Sequence, residues 1–257
     1  AVLATVSALG AATLFASPHP ERPEIASNLP PRVKIAGKDG TKKNGPYYYE
    51  LVFGCTVFWL IGGKVDMTSY IKTYVKDSGV IPAHQGSESL LMIWIMITIG
   101  RLVGLQDQIA LKRKSTNTVY IHLTVWLMTG VIGMLCVVVD LKSPVLFWIG
   151  IALYGLGNGP CVGYCYDLIN RLTTATEEGM SIVMFGLNFG ASLVPYITTV
   201  IWDRTELQYY ALMFITFISM LLPIPLIGLS MCITPRGFAI PPEFLHLFGR
   251  KPNPVTA

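Results

Sequence analysis

The stretch that decides the fold runs from Tyr154 to Leu172 and reads YGLGNGPCVGYCYDLINRL. It follows directly on SPVLFWIGIAL (Ser143–Leu153), an unbroken apolar run. Together they are long enough to cross a bilayer, which takes about 20 apolar residues. Yet the second part carries four glycines, a proline, an asparagine and an aspartate. Lipid offers no partner to a freed backbone group, so breaks at membrane depth are tolerated only against protein or a water-filled cavity. Gly155, Gly159 and Gly163 recur at i, i+4 and i+8 and form one stripe that admits a neighbouring helix at short range. Pro160 lacks an N–H and clashes one turn back, which predicts a kink. Asn158 lies off the stripe. It either faces a polar cavity or ties two helices together.

The rest of the chain agrees with a membrane setting. Of 257 residues, 52% are hydrophobic and 13% charged, and the mean hydropathy is +0.53. A soluble domain carries about 25% charge. The net charge of +4 is mild and its basic residues cluster in loops, which excludes nucleic acid as a partner. The five cysteines (Cys55, Cys136, Cys161, Cys165, Cys232) all sit in apolar runs, and an odd count there argues against a disulfide framework. Cys161 and Cys165 have no histidine beside them, so no metal site is expected.

Six full spans are predicted: Tyr48–Val75, Ser87–Leu105, Thr118–Val139, Ser143–Asn170, Gly179–Trp202 and Leu207–Ile233, here spans A to F. Residues 1–17 read as the end of a preceding transmembrane helix, 18–47 as a Pro/Lys-rich linker, 48–233 as a six-helix transmembrane domain and 234–257 as a tail. Arg22, Arg32, Lys34, Lys38, Lys42, Lys43, Lys112, Arg113, Lys114, Arg171, Arg236, Arg250 and Lys251 fall on one side of the membrane; Lys72, Lys76, Lys142 and Arg204 fall on the other. The positive-inside rule then places the linker and the C-terminus in the cytoplasm.

Polar residues concentrate in spans A and D. Span A contains FGCTVFWLIGGKVDMTSYIKTYV (Phe53–Val75), in which a glycine pair precedes Lys64 and Asp66. An intramembrane cation costs on the order of 2.5–3.5 kcal/mol on insertion scales, so Lys64 needs a partner, water or a ligand. Lys64 and Asp66 are about 200° apart on an ideal helix. One should therefore face a cavity and the other a neighbouring helix, and Lys64 is expected to be the one that faces the cavity, near Asn158. Spans B and E each carry GxxxG, at Gly100/Gly104 and Gly186/Gly190, and spans C and F are plainer. A-B-C and D-E-F thus repeat one pattern: Gly-interrupted and polar, then small-residue, then plain. Repeats led by Gly-interrupted helices point to a transporter with its site between those helices. The candidate solute-binding residues are Lys64, Asp66 and Asn158, with Tyr70, Tyr154 and Trp59, and Tyr164 in addition, as aromatic surfaces for a sugar ring. Candidate gating and interface residues are Arg101, Asp107, Asp167 and Arg171. Arg101 would either pair with Asp107 or with an acid on the opposite half, or anchor among the headgroups, and Asp167 would pair with Arg171 at i, i+4.

Four segments follow one another in a familiar order: GGKVDMTSYIKTYVKDSGV (Gly62–Val80), LLMIWIMITIGRLVG (Leu90–Gly104), VLFWIGIALYGLGNGPCVGYCYDLIN (Val145–Asn170) and EEGMSIVMFGLNFGASLVPYITTVIWD (Glu177–Asp203). They resemble the C-terminal half of a major facilitator superfamily transporter, and within it the sodium-dependent glucose transporter-like branch, also called the major facilitator domain-containing protein 4 branch. This chain departs from that branch at Lys64, where the branch tends to be acidic, and at Asp66, where it tends to be small. The resemblance implies an all-α membrane fold, a six-helix half-bundle built as a 3+3 repeat, in which first helices line the cavity, second helices meet the other half and third helices face lipid. It also implies a missing N-terminal half as partner, a small polar solute such as a sugar as cargo, coupling to Na+ or H+, and a plasma-membrane location. The competing class is a seven-helix receptor or a non-transporting scaffold. HExxH and GxSxG are both absent from the sequence, and the chain does not read as an enzyme.

Overall fold

The computed structural model describes residues 47–111, 115–173, 177–204 and 209–233. The preceding helix end expected at 1–17, the linker expected at 18–47 except for its last residue, and the tail expected at 234–257 lie outside the described residues. Every long element is helical: α1 (Tyr48–Ser78), α2 (Gly86–Leu111, entered through a 3-10 turn at Ala83–Gln85), α3 (Thr116–Val139), α4 (Pro144–Leu172), α5 (Glu177–Arg204), α6 (Tyr210–Leu221) and α7 (Pro223–Ile233). With α6 and α7 taken as one span, six segments are long and apolar enough to cross a membrane. The described chain is all-helical, and its six apolar spans make it a multi-pass membrane protein.

Helix ends follow local chemistry. The Ser115 hydroxyl caps α3 by accepting from the Thr118 N–H, and Ser143 caps α4 by accepting from Leu146, with Pro144 at the first helical position. Gly79 closes α1 at φ 64°, where only glycine sits without strain, and its N–H donates to the Val75 carbonyl. Both α1 at Gly62–Gly63 and α4 at Pro160 run on as continuous helix, so the interruption expected in spans A and D is not there. The break falls in the last span instead, at Leu222–Pro223, where proline cannot continue the hydrogen-bond ladder.

Those glycines serve close packing rather than unwinding. A Cβ on Gly186 would lie 2.3 Å from the Gly54 carbonyl oxygen, and one on Gly190 2.1 Å from that of Phe58. A Cβ on Gly100 would lie 2.3 Å from the Leu156 carbonyl oxygen, and one on Gly159 2.6 Å from that of Ile97. The α1–α5 and α2–α4 crossings are therefore both backbone-on-backbone. Exchanging the first three helices for the last three turns one crossing into the other, since α1 packs chiefly on α5 while α4 packs on α2 and α3. Between the crossings lies a core that includes Phe53, Leu60, Met67, Tyr120 and Phe147. Of the six spans, α2 and α5 are the least buried.

Candidate functional site

Lys64 and Arg101 line one cavity of 510 Å³, walled by α1, α2 and α4 and touched by Leu187 of α5. Gly104, Gly159 and Gly163 form part of its wall, and Gln108 adds a neutral polar group. The glycines make the space, because a side chain at any of them would fill it or push the helices apart. Lys64 and Arg101 are like charges on one space. Among the described residues neither has an acidic partner within ion-pair distance. Two positive charges facing one partly desolvated space suit a solute with negative charge or several hydroxyl groups.

Asp66 takes the other direction. It is fully buried, and the Thr198 hydroxyl of α5 lies 2.7 Å from its Oδ2. Lys64 and Asp66 thus face a cavity and a neighbouring helix respectively, as a rotation of about 200° requires.

Asn158 does not accompany Lys64. It is 2% exposed, donates to the Leu60 carbonyl at 3.2 Å and reaches the Met220 sulfur at 3.3 Å. Its role is the interhelical tie, joining α4 to α1 and α6, and the cavity placement is corrected. The aromatic candidates are also dispersed. Tyr154 is fully buried and its hydroxyl has no hydrogen-bond partner among the described residues. Tyr70 accepts from the Thr199 hydroxyl at 2.9 Å and packs against Trp202. Trp59 stands edge-on to Phe58 in an apolar groove between α1 and α5 that also holds Phe185 and Phe189. None of the three lines the Lys64 cavity.

Asp107 does not pair with Arg101. Because α2 runs on to Leu111, Asp107 lies inside a helix, six residues and about 240° from Arg101. Its Oδ2 accepts from the Tyr164 hydroxyl at 2.5 Å and lies 2.7 Å from His122 Nδ1, so one carboxylate joins α2, α3 and α4. Tyr164 belongs to this junction rather than to a sugar surface, and His122 joins it without having been singled out in the sequence; a histidine one helix away from an aspartate was the signal. Asp167 and Arg171 meet at 3.0 Å, and Arg171 also donates to the Leu111 carbonyl at the end of α2. Compared with known proteins, the chain matches no family model, no curated protein and no solved structure.

Proposed function

We propose that the chain is one six-helix half of a secondary transporter that carries a small polar solute by alternating access. The observation that carries this reading is the 510 Å³ cavity in which Lys64 and Arg101 meet without an acid among its lining residues. Cations at membrane depth are retained where a ligand or water offsets their cost. The solute is a sugar or a related hydroxylated compound, and an anionic one fits the two charges best. Two features add support. The matched glycine crossings agree with a repeat of three helices, the plan of transporters whose site lies at the repeat interface. The sparse burial of α2 and α5 leaves them free to meet a second half, as the resemblance to the major facilitator superfamily implies. On this reading the linker and the C-terminus are cytoplasmic, the membrane is the plasma membrane, and the preceding half of the protein is the partner.

The test is uptake of radiolabelled glucose and gluconate into proteoliposomes holding this chain alone, or this chain with the six-helix half that would precede it. Uptake is expected only from the pair. Uptake by the chain alone, or none by the pair for either probe, removes the reading.

A further inference from the structure

Asp66 is a carboxyl group at membrane depth that the Lys64 cavity does not use. It is 0% exposed. On α1 it lies about 40° round the axis from Gly62 and about 60° from Gly63. Gly62 packs on Val194 and Gly190 of α5, and Gly63 on Ser219 of α6 with the Tyr154 hydroxyl of α4 nearby. Asp66 therefore projects into the seam between these helices, one turn further along.

Its surroundings are polar but carry no charge. The titratable group facing it from α4 is the Tyr154 phenol, with which it interacts electrostatically. From α5 it meets the Thr198 hydroxyl, and Ser219 of α6 lies against Gly63, one turn back along α1; both are fully buried. The cations Lys64 and Arg101 belong to the cavity, on another side of α1. Among the described residues Asp66 has no ion-pair partner. Among the described residues its Oδ1 has no hydrogen-bond partner, and the same holds for the Tyr154 hydroxyl and for Thr216 Oγ1.

The Thr198 hydroxyl decides the chemistry. Its oxygen lies 2.7 Å from Asp66 Oδ2 and 3.2 Å from the Val194 carbonyl oxygen one turn back. A hydroxyl has one hydrogen to give and lone pairs to receive with. If it donates to Val194, the short contact with Asp66 is a hydrogen bond only when the carboxyl carries a proton and donates it to Thr198 Oγ1. If Asp66 is ionised, Thr198 must turn to donate to it, and a fully buried carboxylate then has a single donor among the described residues. Such a buried charge is not tolerated without compensation. The protonated arrangement satisfies both contacts in a chain running from Asp66 to Thr198 to Val194.

We propose that Asp66 is an intramembrane proton-binding site, with Thr198 as the positioning residue that switches its hydroxyl between the Val194 carbonyl and the carboxylate. Loading converts the carboxylate and a proton from water into the neutral acid, and release returns the proton to water when the α1–α5–α6 seam opens. The proton is thereby the coupling ion, a role that rests on the transport reading, although proton binding itself does not.

The test is infrared difference spectroscopy of the purified chain in detergent, titrated with acid and base. The expected result is a protonated-carboxyl C=O band at neutral pH that Asp66→Asn removes, while Asp107→Asn and Asp167→Asn keep it. Thr198→Val removes the hydrogen-bond acceptor without touching the carboxyl and is expected to shift that band in frequency. Should Asp66→Asn fail to fold, the Thr198→Val shift alone carries the assignment. A missing band at neutral pH, a band indifferent to both variants, or a band abolished by NaCl but not by choline chloride at fixed pH would each overturn the proton site. A band present in a protein that transports nothing would leave the site standing and remove only the transport reading.

Discussion

Gly159→Ala tests the packing on which the cavity depends. The added Cβ would lie 2.6 Å from the Ile97 carbonyl oxygen, 3.1 Å from the Arg101 nitrogen and 3.3 Å from the Gly100 carbonyl carbon. All three neighbours are backbone, so no flexible side chain can move aside. To reach an ordinary contact of 3.4 Å, α2 must retreat from α4 by about 0.8 Å (3.4 less 2.6). A gap of about 0.5–1 Å forfeits a quarter to a half of the dispersion energy of the contacts it opens. Overpacking of this kind costs about 1–3 kcal/mol. A loss of 1–2 kcal/mol is roughly a factor of 5–30 in the folded-to-unfolded ratio. The assay is thermal unfolding of the detergent-solubilised protein followed by size-exclusion chromatography. Two glycines supply the scale. At Gly163 the obstacle is the end of the Gln108 side chain at 2.9 Å, which can swing away, and at Gly228 nothing lies within 4 Å. The order of damage should be Gly159, then Gly163, then Gly228. If Gly159→Ala is as stable as Gly228→Ala, the α2–α4 crossing is not where this account puts it.

Arg101→Lys keeps the charge in the cavity but removes the planar fork. If the guanidinium binds solute, the loss of one charged hydrogen bond, about 1.5–3 kcal/mol, raises KM roughly tenfold or more, whereas a mere headgroup anchor leaves KM unchanged in an uptake assay. Asn158→Ala removes a tie between α4, α1 and α6; interhelical hydrogen bonds average about 0.6 kcal/mol and reach about 1.7, so stability should fall by that much in the same unfolding assay while solute affinity stays. A weakened affinity with unchanged stability would return Asn158 to the cavity.

The span count was legible because an apolar run of membrane length has few other readings. So was the divergence of Lys64 and Asp66, which follows from helix rotation alone. The role of the glycines was only half legible. Gly62, Gly63 and Pro160 are compatible with an unwound helix or with a straight one pressed against a neighbour, and which holds depends on Val194, Ser219 and Gly104 on other helices. The same non-locality hid the partners of Asp107. Ending span B at Leu105 left Asp107 in a loop within reach of Arg101, while the six further helical residues turn it towards His122 and Tyr164. Asn158 was misplaced for a related reason: its polarity was readable, but the Leu60 carbonyl and the Met220 sulfur that receive it belong to other helices.

On the transport reading the Lys64 cavity holds the solute. The most direct measurement is the KM for gluconate uptake by the paired halves, compared between the unaltered protein and Lys64→Met, with the folded fraction checked by size-exclusion chromatography. Met keeps the length and removes the charge, so the loss of one charged hydrogen bond, about 1.5–3 kcal/mol, predicts a KM raised roughly ten- to a hundredfold in a folded protein. An unchanged KM in a folded Lys64→Met protein would contradict the account.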